Sequence, residues 1–229
     1  RSGWRGEADA IASNADIVHS YGLIEGAARG PRRVKALKQK SWSPSLFLLH
    51  FGLEGTCPQI PHHMILFGPR YKGLLNDIYK GGRLAPDPAL YVHHPTVTDP
   101  AMAPDGCSTF YALAPVPHMG KAAVDWAKDG EAYAETIIDT LEARLIPDIR
   151  TRIRTRFHYS PADFKGDLAA HLGSAFSLEP VLTQSAWFRT HNRDDKISNL
   201  YFVGAGTHPG AGIPGVVGSA EATARLMLE

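Results

Sequence analysis

Apolar residues recur at two spacings along this chain, and the spacings locate its elements. In EAYAETIIDTLEARL (Glu131–Leu145), Tyr133, Ile137, Leu141 and Leu145 fall every four residues, with Ile138 beside them. That pattern predicts a helix with one apolar face. SLFLLHFGL (Ser45–Leu53) predicts a buried strand, with β-rich neighbours in MILFG (Met64–Gly68), ALYVHHP (Ala89–Pro95) and STFYALAPVPH (Ser108–His118). RYKGLLNDIY (Arg70–Tyr79) reads as a short helix between two of them. In SPADFKGDLAAHL, Ser160 is an expected N-cap, Pro161 sits at the first helical position and Asp163 in the first turn. ADAIASNADIVHSYGLI (Ala8–Ile24) predicts a strand followed by a turn or helix. Near the end, NLYFVG reads as a strand and GVVGSAEATARLML as a terminal helix. The sum is a mixed α and β chain whose β-rich middle is not strictly alternating βαβ.

Composition narrows this picture. A chain of 229 residues can bury a core as one large domain or two small ones. A net charge of +1 advertises no nucleic-acid partner. Cys57 and Cys107 form neither a metal-type spacing nor a disulfide framework, so a reducing, cytoplasmic setting is the expectation. No signal peptide opens the chain, and no apolar run approaches the length of a membrane span. The chain begins at Arg1 rather than Met, which suggests a fragment or a processed chain. One segment is strongly basic: Arg29–Lys40 holds six Lys or Arg. It suits either an anionic lipid surface or a solvated connector.

Two histidine pairs, His62–His63 and His93–His94, raise the question of a metal. Adjacent residues on a strand point to opposite faces, so neither pair is expected to grip one ion, and no metal is expected. No G-x-S-x-G is present to support serine hydrolase chemistry.

The richest chemistry lies in the last thirty or so residues. Six glycines fall between Gly204 and Gly218, and Gly210, Gly212 and Gly215 form a formal G-x-G-x-x-G. A dinucleotide fingerprint needs its glycines directly after a strand, and an acidic residue about twenty positions on. Here the strand ends too early, Pro209 and Pro214 interrupt the loop, and no second strand follows. The alternative is a strand, a glycine loop and a helix whose N-terminus offers unpaired N–H groups to a pyrophosphate or to an electron-rich flavin edge. A glycine-rich turn that only packs a helix on a sheet remains the other reading.

Asn199–Ser219, NLYFVGAGTHPGAGIPGVVGS, closely resembles the C-terminal flavin-binding signature of bacterial-type phytoene desaturases, which are FAD-dependent carotenoid desaturases. The resemblance extends through GSAFSLEPVLTQSAWFRTHNRD (Gly173–Asp194), SLFLLHFGL, FGPRYKGLLNDIY, APDGCSTFYALAPVPHMG and ASNADIVHSY, in family order. One departure is Thr190, where the family favours Pro after the Arg. A larger departure is that no strand–GxGxxG–helix unit precedes Ala8.

The resemblance implies the C-terminal half of a two-domain, amine-oxidase-like flavoprotein of mixed α/β (α+β) class. Residues 1–22 would belong to the FAD-binding domain, 23–180 to a polyene-binding substrate domain, and 181–229 to a C-terminal FAD-binding segment. It implies FAD as cofactor, held by Gly204, Ala205, Gly206, Thr207, Gly212, Ile213, Pro214, Gly215 and Val216. The N–H groups of Gly215 and Val216 are the candidates for the flavin N1 and O2 edge. His208 is either an acid–base residue or a packed loop histidine; Asp77 and Glu179 are further catalytic candidates. The implied substrate is a phytoene-like acyclic C40 carotenoid precursor, and the implied location is cytoplasmic, at the inner face of the membrane. Strand residues Phe47, Leu49 and Phe51 on one face, or Leu46 and Leu48 on the other, would line the substrate tunnel or form ordinary core. Another polyene as substrate, or an inactive polyene-binding fragment, are the alternatives.

Overall fold

The computed structural model describes residues 3–229; Arg1 and Ser2, at the head of the expected first segment, lie outside the described residues. Strand β1 (Ile11–Ser13) leads into helix α1 (Ile17–Gly22), where the Asp16 side chain accepts the N–H groups of Val18 and His19. The basic segment is itself a helix, α2 (Arg29–Lys38). Strands β2 (Ser45–Glu54) and β3 (His63–Leu66) follow, then α3 (Tyr71–Asn76), which runs on as a π-helical turn over Asp77–Gly81. After β4 (Leu90–His93) and β5 (Cys107–Val116) comes the long helix α4 (Trp126–Arg144), then a short turn of helix, α5 (Ile149–Arg152), and β6 (Ile153–Tyr159). Helix α6 (Pro161–Leu168) starts where Ser160 and Pro161 predict. The Asp163 carboxylate accepts both the N–H and the hydroxyl of Ser160, each at 2.7 Å. Strand β7 (Leu200–Phe202) and helix α7 (Ile213–Leu228) complete the order.

The chain divides into two compact units. One comprises residues up to Ser43, Gly166–His171 and Phe176–Glu229. The other comprises Pro44–Lys165 and Leu172–Ala175.

The second unit is built on a five-stranded antiparallel sheet in the order β3-β4-β5-β2-β6. Burial alternates along β2 and β5 residue by residue, as a half-covered sheet requires. Phe47, Leu49, Phe51 and Leu53 of β2, with Phe110, Ala112, Ala114 and Val116 of β5, form the buried face. Helix α4 covers that face with Tyr133, Ile137, Ile138 and Leu141 of the stripe read from the four-residue spacing, with Leu145 partly buried and Trp126 added at its start. Each such side chain contributes about 1.5–3 kcal/mol by leaving water. Phe47, Leu49 and Phe51 are therefore core and not tunnel lining.

The opposite face of the sheet carries a row of rings. His63 lies 5.3 Å from His93, His93 lies 4.7 Å from Tyr111, Tyr111 lies 5.4 Å from His50, and His50 stacks on Phe157 at 4.6 Å. Register produces this row, because His63 pairs with His93, His93 with Tyr111, Tyr111 with His50 and His50 with Phe157. Burial holds the imidazoles of His50 and His93 below the usual histidine range, so both favour the neutral form.

In the first unit β1 and β7 pair in parallel, Ile11 opposite Leu200 and Ser13 opposite Phe202. Tyr21 of α1 is buried against Phe202, ring centroids 4.9 Å apart. Its hydroxyl donates to Asp194 at 2.6 Å. Among the described residues no helix is long and apolar enough to cross a membrane.

Candidate functional site

β7 delivers the chain into the glycine loop, and a buried polar cluster fixes the loop's first half. Gly204 has φ +108°, a conformation that favours glycine, and a Cβ there would stand 2.5 Å from Asn14 Oδ1 and push that side chain aside. The Gly204 N–H donates to Ser219 Oγ at 3.1 Å. Thr207 returns its N–H and its hydroxyl to the Gly204 carbonyl at 3.1 and 2.9 Å. Thr207 Oγ1 also lies 2.6 Å from Ser219 Oγ. The Asn192 amide lies 3.0 Å from Ser219 Oγ, 3.0 Å from Thr223 Oγ1 and 3.1 Å from the His208 carbonyl. Asn192, Thr207, Ser219 and Thr223 are all buried, so this cluster ties strand, loop and helix through satisfied polar groups.

Arg189 locks the loop from the other side. It is 3 % exposed and donates to four backbone carbonyls: Ala205 at 2.7 Å, Phe176 at 2.8 Å, Leu178 at 3.1 Å and Gln184 at 3.4 Å. Burial lowers its pKa to about 10, still well above neutrality, so the charge persists. Thr190 forms a parallel bridge with Thr207, and its carbonyl accepts the His208 N–H.

The second half of the loop is open. Gly210 and Gly215 meet so closely that a Cβ on Gly215 would stand 2.6 Å from the Gly210 carbonyl oxygen. The Val216 N–H already donates to the Gly212 carbonyl at 2.8 Å. That corrects the expectation that Val216 offers its N–H to a ligand: it closes the first helical turn. The N–H groups of Ile213 and Gly215 have no acceptor among the described residues, and Pro214 has no N–H to offer. Beside them Ile213 is 81 % and Val217 62 % exposed. A helix N-terminus with free donors and an apolar wall fits a flat ring whose edge carries negative charge. In the first half, Gly204 and Thr207 have their N–H groups engaged, whereas those of Ala205 and Gly206 are free among the described residues. The donor set therefore fits a flavin cofactor through Ala205, Gly206, Ile213 and Gly215, with Gly204, Gly212, Thr207, Pro214 and Val216 shaping the backbone.

His208 lines a cavity of about 630 Å³ with Trp187, His191, Asn192, Arg225 and Leu226. Its Nδ1 is buried and has no hydrogen-bond partner among the described residues, which leaves a polar atom free for a ligand or proton. The His208–Pro209 peptide is cis. Glu179 is half-buried, its N–H donating to Ser41 and its carbonyl accepting from Gln184. Asp77 lies in the other unit. It is buried between Arg83 at 2.7 Å and Arg70 at 3.3 Å, and the hydrogen bond from Arg83, joined by Arg70, holds its carboxyl below the usual range. Asp77 thus acts as an anchor for the π-helical turn.

Three residues with structural weight, Asn192, Arg189 and Asp194, lie in a segment that carries the family resemblance but are not among its expected site residues. Burial works to raise the Asp194 pKa, but Tyr21, the N–H groups of Lys196 and Ile197, and Arg29 more than offset it. The net pKa is lowered. In sequence all three sit inside FRTHNRD (Phe188–Asp194), where nothing but their polarity distinguishes them.

The family profile of flavin-containing amine oxidoreductases matches residues 7–228. The chain is 60 % identical over 222 residues to a lycopene-forming phytoene desaturase of a Paracoccus species, covering 96 % of this chain and 44 % of that protein. It is 46 % identical over 221 residues to a neurosporene-forming phytoene desaturase of Cereibacter sphaeroides, covering 94 % of this chain and 42 % of that one. The chain thus spans less than half the length of these relatives. The fold is similar to an oxidoreductase from Methanosarcina mazei, with a TM-score of 0.60 at 15 % identity, covering 96 % of this chain and 43 % of that one.

Proposed function

The chain belongs to the flavin-containing amine oxidoreductase family, on its phytoene desaturase-type branch, and from that premise we propose that the intact protein desaturates an acyclic C40 carotenoid precursor with FAD. The observation that carries this reading is the open half of the glycine loop, where the Ile213 and Gly215 N–H groups stand free beside exposed apolar side chains. In this reading the unit with residues up to Ser43, Gly166–His171 and Phe176–Glu229 serves the cofactor, in place of the expected 1–22 and 181–229, and the five-stranded unit serves the polyene. Bound FAD would supply the acceptor for a hydride equivalent leaving an allylic carbon of the substrate.

The chain's own residues supply position and charge. The helix-end N–H groups of Ile213 and Gly215 would hold the electron-rich edge of the cofactor, and those of Ala205 and Gly206 would serve its phosphates. His208, with its Nδ1 unpartnered, is the residue we assign to the proton from the neighbouring carbon. Asp77 and Glu179 take no such role in this reading. The part of the ring row formed by Tyr111, His50 and Phe157 gives a flat hydrocarbon a stacking floor that the buried core face does not offer. Exposed Arg32, Lys35, Lys38 and Lys40 on and after α2 support docking on anionic lipid at the cytoplasmic face of the membrane, where such a substrate dissolves.

The test uses the full-length protein with liposomes. FAD is added, then phytoene without oxygen. Loss of the flavin absorption band together with new conjugated-polyene absorption is the expected result. FAD binding without band loss rejects phytoene as substrate, and no FAD binding rejects the reading of the loop.

A further inference from the structure

The His93–His94 pair alternates as a strand predicts, His94 being buried against Phe110, but the His62–His63 pair does not. The chain bends at His62, just before β3 begins at His63, so the two rings lie 4.3 Å apart instead of on opposite faces. Register between β3 and β4 then brings His93 opposite His63. One ring nitrogen from each of His62, His63 and His93 lies within 4.8 Å of the others.

From this cluster we propose that His62, His63 and His93 form a site for one divalent first-row transition ion of the zinc class. Imidazole nitrogen is the ligand such ions favour, and three of them with an open position is a known coordination pattern. The second ring nitrogens are already oriented. Nδ1 of His62 lies 2.6 Å from Thr98 Oγ1, and Nδ1 of His63 lies 2.7 Å from the Tyr91 hydroxyl. With an ion bound at Nε2, these hydroxyls would accept the Nδ1 protons and so hold the ligating tautomers. His62 Nε2 and His93 Nε2 face each other at 2.9 Å. Two nitrogens bound tetrahedrally at about 2.0–2.1 Å from zinc stand roughly 3.3 Å apart, so a few tenths of an ångström separate that pair from ligating distance. His63 is exposed, so its ring can close the remaining distance while its Nδ1 keeps the Tyr91 hydroxyl, with water in the remaining position. The ligands are neutral and no carboxylate joins the cluster among the described residues, which disfavours magnesium and calcium. The site lies in the five-stranded unit and does not depend on the assignment of the glycine loop.

The test is calorimetric titration of chelator-treated, tag-free full-length protein with Zn2+ alone, repeated with Co2+ followed by its ligand-field absorption. One saturable equivalent is expected, with a tetrahedral Co2+ spectrum. His63→Gln and His93→Gln should each weaken Zn2+ binding by roughly 100-fold, and Tyr91→Phe by about tenfold, since the oriented partner of a ligand matters nearly as much as the ligand. His19→Gln, a histidine of the other unit, should leave binding unchanged. His63→Gln changes an exposed side chain, so its melting curve should match the parent and keep the comparison valid even if His93→Gln unfolds. No saturable binding, or affinity in His63→Gln within threefold of the parent, overturns the proposal and leaves His62 and His93 as a proton-sharing pair.

Discussion

The α-carbon of Gly215 packs against the carbonyl of Gly210 so tightly that a β-carbon would stand 2.6 Å from that oxygen. This contact sets where the N-terminus of α7 lies against the loop. Gly215→Ala sits in the first turn of a helix, where alanine propensity alone favours the change by up to about 1 kcal/mol. The collision is with backbone, which cannot rotate away. The expected outcome is a net loss of about 1–3 kcal/mol, read by urea unfolding, and a weaker FAD complex. A variant as stable as the parent with unchanged FAD affinity rejects the contact as the determinant of helix position.

Asn192 is the hub of the cluster beneath that helix. Replacing it by Ala leaves Ser219, Thr223 and the His208 carbonyl short of a buried donor, at a cost of roughly 2–4 kcal/mol. Asn192→Asp is the sharper probe. Its carboxylate would face carbonyl oxygens of Phe202, His208 and Ser219, so burial and repulsion would favour the protonated form. Stability of Asn192→Asp should therefore recover as pH is lowered toward 5, opposite to the parent's trend. Thermal melts across that range test the sign.

Asp194 governs acid stability in the first unit. Its folded pKa is depressed despite burial, by Tyr21, two backbone N–H groups and Arg29. Its stabilisation is complete above the unfolded carboxyl value of about 3.9 and is lost as pH falls through the lower folded value. Asp194→Asn should lower the melting temperature above roughly pH 5 and flatten its fall in acid. An unchanged acid limb would assign that dependence to other carboxylates.

Most elements were legible because burial and periodicity agree in them. α4 follows its four-residue stripe, β2 and β5 follow alternation, and Ser160, Pro161 and Asp163 start α6. Strand β6 carries no such signal. Arg154, Arg156 and Phe157 are exposed on an edge strand, so its residues answer to pairing with β2 and not to a core. Helix α2 was hidden by its charge, although Arg29 turns inward to Asp194 and Arg33 lies over the Tyr21 ring. The glycine loop was legible as a site, but which N–H groups are free was not. That depends on Ser219 and Gly212, which take the protons of Gly204 and Val216 from inside the fold. The three-histidine cluster was missed because a bend at His62 breaks the alternation that a strand would impose.

The ring row makes a prediction that separates substrate from cofactor. His50 sits fourth in the row, stacked on Phe157 with planes 4° apart and tilted against Tyr111. It lies on the face away from α4, so changing it leaves the core intact. Burial lowers its pKa, and an uncharged ring is what a hydrocarbon neighbour needs. As pH falls below the unperturbed value of about 6.5, His50 becomes protonated, and affinity for the polyene should fall with it. His50→Lys fixes the charged state at every pH. It should raise KM for the polyene by roughly tenfold or more, an increment of about 1.4 kcal/mol, and abolish the acid dependence. FAD binding should be unchanged, because the glycine loop belongs to the other unit. A fall in kcat at constant KM would move the polyene off this face, since a charge beneath a bound hydrocarbon must first weaken its binding.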